Sequence, residues 1–307
     1  MKGAASERCL TNKQIMPELP EVETIVQAMK FGGRGGRPLL DLTVDQVHLL
    51  WPRTLAEPGD PAALQRLAGQ KILDISRRGK FIQLKLSEDY LLIHLRMSGD
   101  IRVADRHGYN PVIDSVKKHD RFVIYFKESV AMFFNDTRKF GRIWLVKSAE
   151  QVTVKLGPEP FDPEIEEGLF YQKLQTSRRQ IKPLLMDQTF LAGLGNIYTD
   201  EALHQAGIHP RQSSHNLTPE QAGYLLAAIR NVLSEGIQRN GASIDWIYRG
   251  GDFQNYFKVY QRMGKSCFNC GQVIQKILVG QRGTHFCPGC QPEPAPYHIH
   301  LSERRNL

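Results

Sequence analysis

The sequence predicts an α+β, multi-domain chain: a β-sandwich led by one helix, then a helical domain, then a short cysteine module. Three observations carry that prediction. Strand-like runs with period-two apolar alternation dominate the first half. Helical periodicity takes over after a proline-rich boundary, and two Cys-x-x-Cys pairs follow near the end. With 307 residues and 41% hydrophobic content, the chain has room for roughly two domains with real cores.

Val22, Ile25, Val26 and Met29 recur at helical spacing and predict an amphipathic helix, stopped by Gly32-Gly33-Arg34-Gly35-Gly36. Ile82, Leu84 and Leu86 alternate with Gln83 and Lys85, and Ser87-Glu88-Asp89 reads as a hairpin turn. Next, Leu91, Ile93, Leu95 and Met97 are expected on one strand face, with His94 and Arg96 on the other. Phe122–Phe126, Val130–Phe134 and Ile143–Val146 read as further strands, and strands at this spacing suggest a sandwich. Leu156-Gly157-Pro158-Glu159-Pro160-Phe161-Asp162-Pro163 is a stiff boundary. Beyond it, a helix is expected over Ile197–Ala206, ending at Gly207. Thr218, Pro219 and Gln221 spell an N-cap, a first-turn proline and a capping box. Ala222, Leu225, Leu226, Ile229 and Val232 continue as an apolar stripe, with Gly241 as its stop. No internal repeat is visible.

Composition excludes several classes. No apolar run approaches the ~18–20 residues that cross a bilayer, and the first fifteen residues lack the apolar core of a secretory signal. The odd count of five cysteines, four of them in two close pairs, argues against a secreted disulfide scaffold. The formal net charge of +8 suggests a polyanionic partner. That charge is uneven: residues 17–157 carry a net +5, residues 158–257 a net −4 and residues 258–307 a net +5. An acidic middle would have to meet a polyanion through backbone dipoles, or hold the basic ends in place; the plainer reading is charge scattered over a solvated surface.

Cys267-Phe268-Asn269-Cys270 and Cys287-Pro288-Gly289-Cys290 stand sixteen residues apart, an interval that suits a β-hairpin. Two such turns supply four thiolates for one closed, structural Zn²⁺ site. Two disulfides or an iron–sulfur cluster are the alternatives. Arg282 is expected at the hairpin tip, where it is either simply solvated or able to reach a phosphate.

Met16-Pro17-Glu18-Leu19-Pro20-Glu21-Val22-Glu23-Thr24 resembles the amino terminus of formamidopyrimidine-DNA glycosylases, bacterial base-excision enzymes for oxidised purines. The likeness continues in family order through Arg77-Arg78-Gly79-Lys80-Phe81, His94-Leu95-Arg96-Met97-Ser98-Gly99 and Asp136-Thr137-Arg138-Lys139-Phe140-Gly141. It then runs through Leu156-Gly157-Pro158-Glu159-Pro160 and Gly193-Leu194-Gly195-Asn196-Ile197-Tyr198 to the four cysteines. The endonuclease VIII branch of the superfamily has Gly where this chain has Leu19. The resemblance implies a catalytic β-sandwich over 17–150, a helix–two-turns–helix DNA-binding domain with a lesion loop over 158–256, a zinc finger over 257–291 and a tail over 292–307.

It also implies roles. Pro17, as a terminal secondary amine, is the expected Schiff-base nucleophile, Glu18 the acid/base residue and Glu21 an assistant. The plainer reading of both carboxylates is helix N-terminal charge. Lys80 and Arg282, with His94 and Asn196, are the expected phosphate contacts, and the two glycines beside Asn196 are expected to bring backbone amides to a phosphate. For His94 the plainer reading is a half-buried strand histidine. Met97, Arg138 and Phe140 match the residues that fill the gap when a base is flipped out. Residues 241–258, including Trp246 and Tyr248, fall where the family has a mobile loop. The implied partner is double-stranded DNA with oxidised purines or abasic sites, bound by a monomer in a bacterial cytoplasm, with one structural Zn²⁺.

One feature departs from the pattern. In the family the proline follows the initiator methionine, whereas fifteen residues precede Met16 here. An internal Pro17 has a tertiary amide nitrogen without a usable lone pair. The expectation is translation from Met16, with residues 1–16 and Cys9 absent from the active form. Retention of that segment would instead imply a non-catalytic damaged-DNA or zinc-finger binding protein.

Overall fold

The computed structural model describes residues 16–105, 116–243 and 250–293. The chain divides into two compact units: one takes in the chain up to Glu159 with Gln188–Gly195 and Leu233–Tyr256, the other Pro160–Asp187, Asn196–Val232 and the chain from Phe257 onward.

In the first unit, α1 (Leu19–Phe31) buries the stripe read from sequence, with Val22, Ile25, Val26 and Met29 all at or below 2% exposure. It stops at Gly32, whose φ of 85° suits glycine. One antiparallel sheet runs β1 (Val44–Leu49), β7 (Asp120–Phe126), β8 (Val130–Asp136), β6 (Gly99–Asp105). The second runs β2 (Leu55–Glu57), β9 (Arg142–Val146), β5 (Tyr90–His94), β4 (Phe81–Leu86), β3 (Ile72–Arg78), antiparallel except for β2 beside β9. α2 (Glu150–Thr153) follows β9. Alternation sorts the core: Phe122, Ile124, Phe126, Met132 and Phe134 join the stripe of α1 and the second sheet, while Val123, Tyr125, Ala131 and Phe133 face the other way. The first sheet is thus apolar on both faces along β7 and β8.

Two expectations need correction here. β5 ends at His94, so Met97 does not extend its apolar face. Arg96 takes φ 55° and the Gly99 N–H donates to the Leu95 carbonyl at 3.0 Å, which turns the chain before Met97. Nor is β5 apolar on one face only, because Leu92 is fully buried against Val146 and Ala149. Strands β1, β2, β3 and β6 carry no period-two pattern that predicts them; β1, β2 and β3 each have a register shift, which breaks the period-two signal.

In the second unit, α3 (Glu167–Gln175), α4 (Ile181–Leu185) and α5 (Asn196–Gln205) precede α6 (Pro219–Gln238), whose residues from Leu233 on belong to the first unit. Gly207, at φ 67°, closes α5 as expected, with the Ile208 N–H on the Leu203 carbonyl at 3.0 Å. The capping box of α6 is formed: the Thr218 N–H donates to Gln221 Oε1 at 3.1 Å and the Gln221 N–H to Thr218 Oγ1 at 3.2 Å. β10 (Gln275–Val279) and β11 (Arg282–Phe286) make the expected hairpin. Its turn is Gly280-Gln281, both at positive φ (53° and 62°), so Arg282 is not at the tip but opens β11 opposite Val279. Among the described residues, no helix is long and apolar enough to cross a membrane.

Replacing Thr218 with Ala is expected to lower stability by about 1 kcal/mol in denaturant unfolding. An unchanged midpoint would show that the cap contributes nothing.

Candidate active site

Pro17 is buried immediately before α1, and Glu18 is the N-cap in an extended conformation. The two carboxylates that follow it are nearly inaccessible, Glu18 at 2% and Glu21 at 3% exposure. Burying a carboxylate is unfavourable unless donors replace its water. Backbone amides are among the donors here. Glu21 Oε2 accepts from the Glu18 N–H at 2.8 Å in a reciprocal capping box, and its Oε1 accepts from the Ala242 N–H at 2.7 Å. Glu18 Oε2 accepts from the Gly195 N–H at 2.7 Å, and the Leu19 N–H donates to the Gly193 carbonyl at 3.1 Å. The capping reading of these acids is therefore part of the answer, since one oxygen of each carboxylate is bound to a distant segment.

The glycines before Asn196 serve a purpose other than the expected one. The Gly195 N–H is taken by Glu18 and the Gly193 N–H by Gln188 Oε1 at 3.0 Å, so neither is offered to a phosphate. They are glycine because of crowding: a Cβ on Gly195 would lie 2.3 Å from Glu18 Cδ, and one on Gly193 2.6 Å from Leu19 Cδ1.

Lys80 sits in the turn between β3 and β4 at 3% exposure, after Gly79 with φ 58°. His94, at the end of β5, is paired with Phe81 and is buried, not half-buried. Burial, then the charges of Arg96 and Lys80, push its pKa down to about 3. Its Nδ1 accepts the Arg96 N–H at 3.0 Å, so the neutral ring carries its proton on Nε2 and is a donor there. Arg77 holds α1 and β3 to the Gly-Pro-Glu-Pro segment through Glu23 at 2.8 Å and Glu159 at 2.6 Å. Burial opposes its charge, but the two carboxylates outweigh that and raise its pKa.

The turn after β8 carries Arg138 and Phe140, both exposed. Its shape comes from Asp136, whose Oδ2 accepts the Gly141 N–H at 2.7 Å and whose Oδ1 accepts the Arg138 N–H at 3.1 Å and the Ser98 hydroxyl. The Ser98 oxygen in turn accepts the Arg138 N–H at 3.0 Å, which ties this turn to the segment bearing half-buried Met97. The Arg138 guanidinium lies 4.9 Å from the centre of the Phe140 ring. Asp136 and Ser98 stood inside the matched strings, but nothing in residue type or spacing marked them as supports.

In the second unit, Asn196 opens α5 and its Nδ2 donates to the Gly283 carbonyl at 3.0 Å, beside exposed Arg282. Its Oδ1 is buried without a hydrogen bond among the described residues. Beneath lies a fully buried ion pair that sequence reasoning missed. Lys182 Nζ donates to Asp200 Oδ1 at 2.6 Å and Thr284 Oγ1 at 2.8 Å, and Asp200 Oδ2 accepts the His285 N–H at 2.9 Å. Next to it, Glu201 accepts the N–H groups of Lys258, Val259 and Tyr260 at 2.7, 3.0 and 2.7 Å. Burial raises its pKa to about 7 against those three donors.

The sulfurs of Cys267, Cys270, Cys287 and Cys290 all lie within 4.8 Å of one another, with Cys267–Cys290 at 3.7 Å and Cys270–Cys287 at 3.3 Å. Disulfide sulfurs would stand about 2.05 Å apart, whereas a tetrahedron with Zn–S near 2.3 Å has edges of about 3.8 Å. Backbone N–H groups of Asn269 and Cys290 point at Cys267 and Cys287 sulfur, at 3.4 and 3.5 Å. The group fits one structural zinc. Cys9, Trp246, Tyr248, and His298 with His300 lie outside the described residues.

Comparisons with known proteins agree along the chain. Residues 16–143 match the formamidopyrimidine-DNA glycosylase N-terminal domain, 156–247 the H2TH domain of the same family, and 264–292 the zinc finger found in FPG and IleRS. The formamidopyrimidine-DNA glycosylase of Enterococcus faecalis is 38% identical, over 90% of this chain and 97% of its own. That of Shouchella clausii is 40% identical, over 91% and 100%. Among solved structures, the Lactococcus lactis enzyme with Fapy-dG-containing DNA superposes with a TM-score of 0.80 at 36% identity, covering 90% of this chain and 100% of that one. The same enzyme bound to abasic-site DNA gives 0.80 at 35%, with the same coverage.

His94 is expected to stay neutral, with its proton on Nε2, from pH 8 to 5 in nitrogen-15 NMR of the folded protein. Because its folded pKa lies below the ordinary 6.5, its contribution to stability is present above that value and is lost as pH falls toward 3. A ring titration near 6.5 would contradict the assignment.

Proposed function

Because the chain belongs to the formamidopyrimidine-DNA glycosylase family, we propose that it excises oxidised purines such as 8-oxoguanine and formamidopyrimidines from double-stranded DNA. In this reading it also cuts the resulting abasic site. The observation that carries the proposal is Pro17 placed directly before two buried carboxylates held by backbone donors.

In the reaction, the Pro17 nitrogen, freed by loss of residues 1–16, attacks C1′ of the flipped nucleotide. A C1′–N bond forms as the glycosidic bond breaks, and the base leaves with the electron pair and takes a proton. Glu18 protonates the deoxyribose ring oxygen, which opens the ring to an iminium. Removal of a C2′ proton then expels the 3′ phosphate, and removal of a C4′ proton the 5′ phosphate. Lys80, Arg282, Asn196 and the neutral His94 Nε2–H hold phosphates, and Arg282 steadies the one beside the reacting sugar. Met97, Arg138 and Phe140 fill the space left by the base. Zinc keeps the finger folded and takes no part in the chemistry.

The domain division follows the same reading: a catalytic domain over 17–150, a helix–two-turns–helix domain over 158–256, the finger over 257–291 and a tail over 292–307. The protein works as a monomer at the nucleoid of a bacterial cytoplasm.

The test is borohydride trapping on a duplex with 8-oxoguanine opposite cytosine. A chain beginning at Pro17 is expected to form the covalent adduct, and acetylating its amine abolishes it. Glu18→Gln is expected to slow base release roughly a hundredfold or more. An adduct that survives acetylation refutes the nucleophile. Tight lesion binding with no adduct from the Pro17-initiated chain would make the protein a non-catalytic binder of damaged DNA.

A further inference from the structure

We propose that His204 is an outer-sphere hydrogen-bond donor to the Cys267 thiolate, and so a positioning residue for the metal site. His204 lies on the last turn of α5 at 4% exposure, and its Nε2 stands 3.6 Å from Cys267 Sγ. It is thus the only side-chain nitrogen among the described residues seen within hydrogen-bond reach of any of the four sulfurs.

The electrostatics explain why a donor belongs there. Four thiolates around a divalent zinc leave the group with a net charge of about −2. Cys267 holds its share of that charge at 3% exposure, packed among Val259, Ile274 and Cys287. In so dry a place a thiolate needs donors, and the Asn269 N–H at 3.4 Å supplies one. The Cys270 N–H also serves it, and the His204 ring supplies a donor from a side chain. It draws electron density from the sulfur, weakens its pull on a proton or a competing electrophile, and fixes the direction in which Cys267 faces the metal.

The bond also has a structural reach. One turn earlier on the same helix, Asp200 accepts the His285 N–H at 2.9 Å. Asp200 and His204 therefore pin one face of α5 to β11 and to the first cysteine turn, and α5 begins at Asn196. Loss of the His204 bond loosens the metal loop from the helix without touching any of the four ligands.

The experiment uses the full zinc-loaded chain with two substitutions. His204→Phe keeps an aromatic ring and removes the donor; His204→Gln keeps an amide nitrogen near the position of Nε2. Zinc transfer to excess EDTA is expected to be about tenfold faster in His204→Phe and near the parent rate in His204→Gln. In cobalt-substituted protein, the thiolate-to-cobalt charge-transfer band of His204→Phe is expected to move to lower energy, as the sulfur becomes a stronger donor. A third readout needs no substitution: in the cadmium-substituted parent, the His204 ring N–H should couple to the metal through the sulfur. Parent-like release and band energy in His204→Phe, or Gln behaving like Phe, would overturn the proposal. So would an uncoupled ring proton, even where His204→Phe fails to fold.

Discussion

The amino-terminal site depends on one constraint: two carboxylates, three residues apart, must be kept in a dry place where backbone donors stand in for water. Glu18 and Glu21 meet it with backbone N–H groups from their own helix start, from Gly195 and from Ala242. Those donors cannot rotate away, as lysine or arginine side chains can, so α1 starts at one fixed place. The residues that hold the donors follow from that. Gly195 is glycine because Glu18 occupies the space of its Cβ, and Arg77 ties α1 and β3 to Glu159.

The second unit solves a related problem with a different device. Lys182 and Asp200 are both fully buried and are satisfied by each other, Thr284 and the His285 amide. Such a pair fixes geometry more than it adds stability, whereas removing one partner alone would cost about 3–5 kcal/mol. It also changes the meaning of the net −4 over residues 158–257. Asp200 and Glu201 count toward that charge but lie inside, holding β11 and the entry to the finger. Lys182 is buried with them and cancels Asp200, so the three account for one unit of that −4, and that unit is scaffold, not surface offered to a polyanion.

How much could be read beforehand depended on how local each signal was. The α1 stripe, the Thr218 capping box, the Gly207 stop and the four cysteines are each set by a few neighbouring residues, and all are seen in the structure. Strands β1, β2 and β3 are not legible because register shifts break their period, and Met97 is misplaced because Arg96 turns the chain at positive φ. The supports of the site were not legible. Asp136, Lys182 and Glu201 each meet partners 18 to 102 residues away, and pattern alone carries no trace of those meetings. The glycines of Gly193-Leu194-Gly195 were noticed, but for the wrong neighbour.

The proposed chemistry rests on the nitrogen of Pro17, next to its two buried carboxylates, bonding the lesion sugar. Tandem mass spectrometry of the borohydride-reduced adduct, digested to peptides, tests it most directly. The deoxyribose remnant is expected on the Pro17 nitrogen of the amino-terminal peptide. A remnant on Lys80 or any other lysine, with Pro17 unmodified, would contradict it.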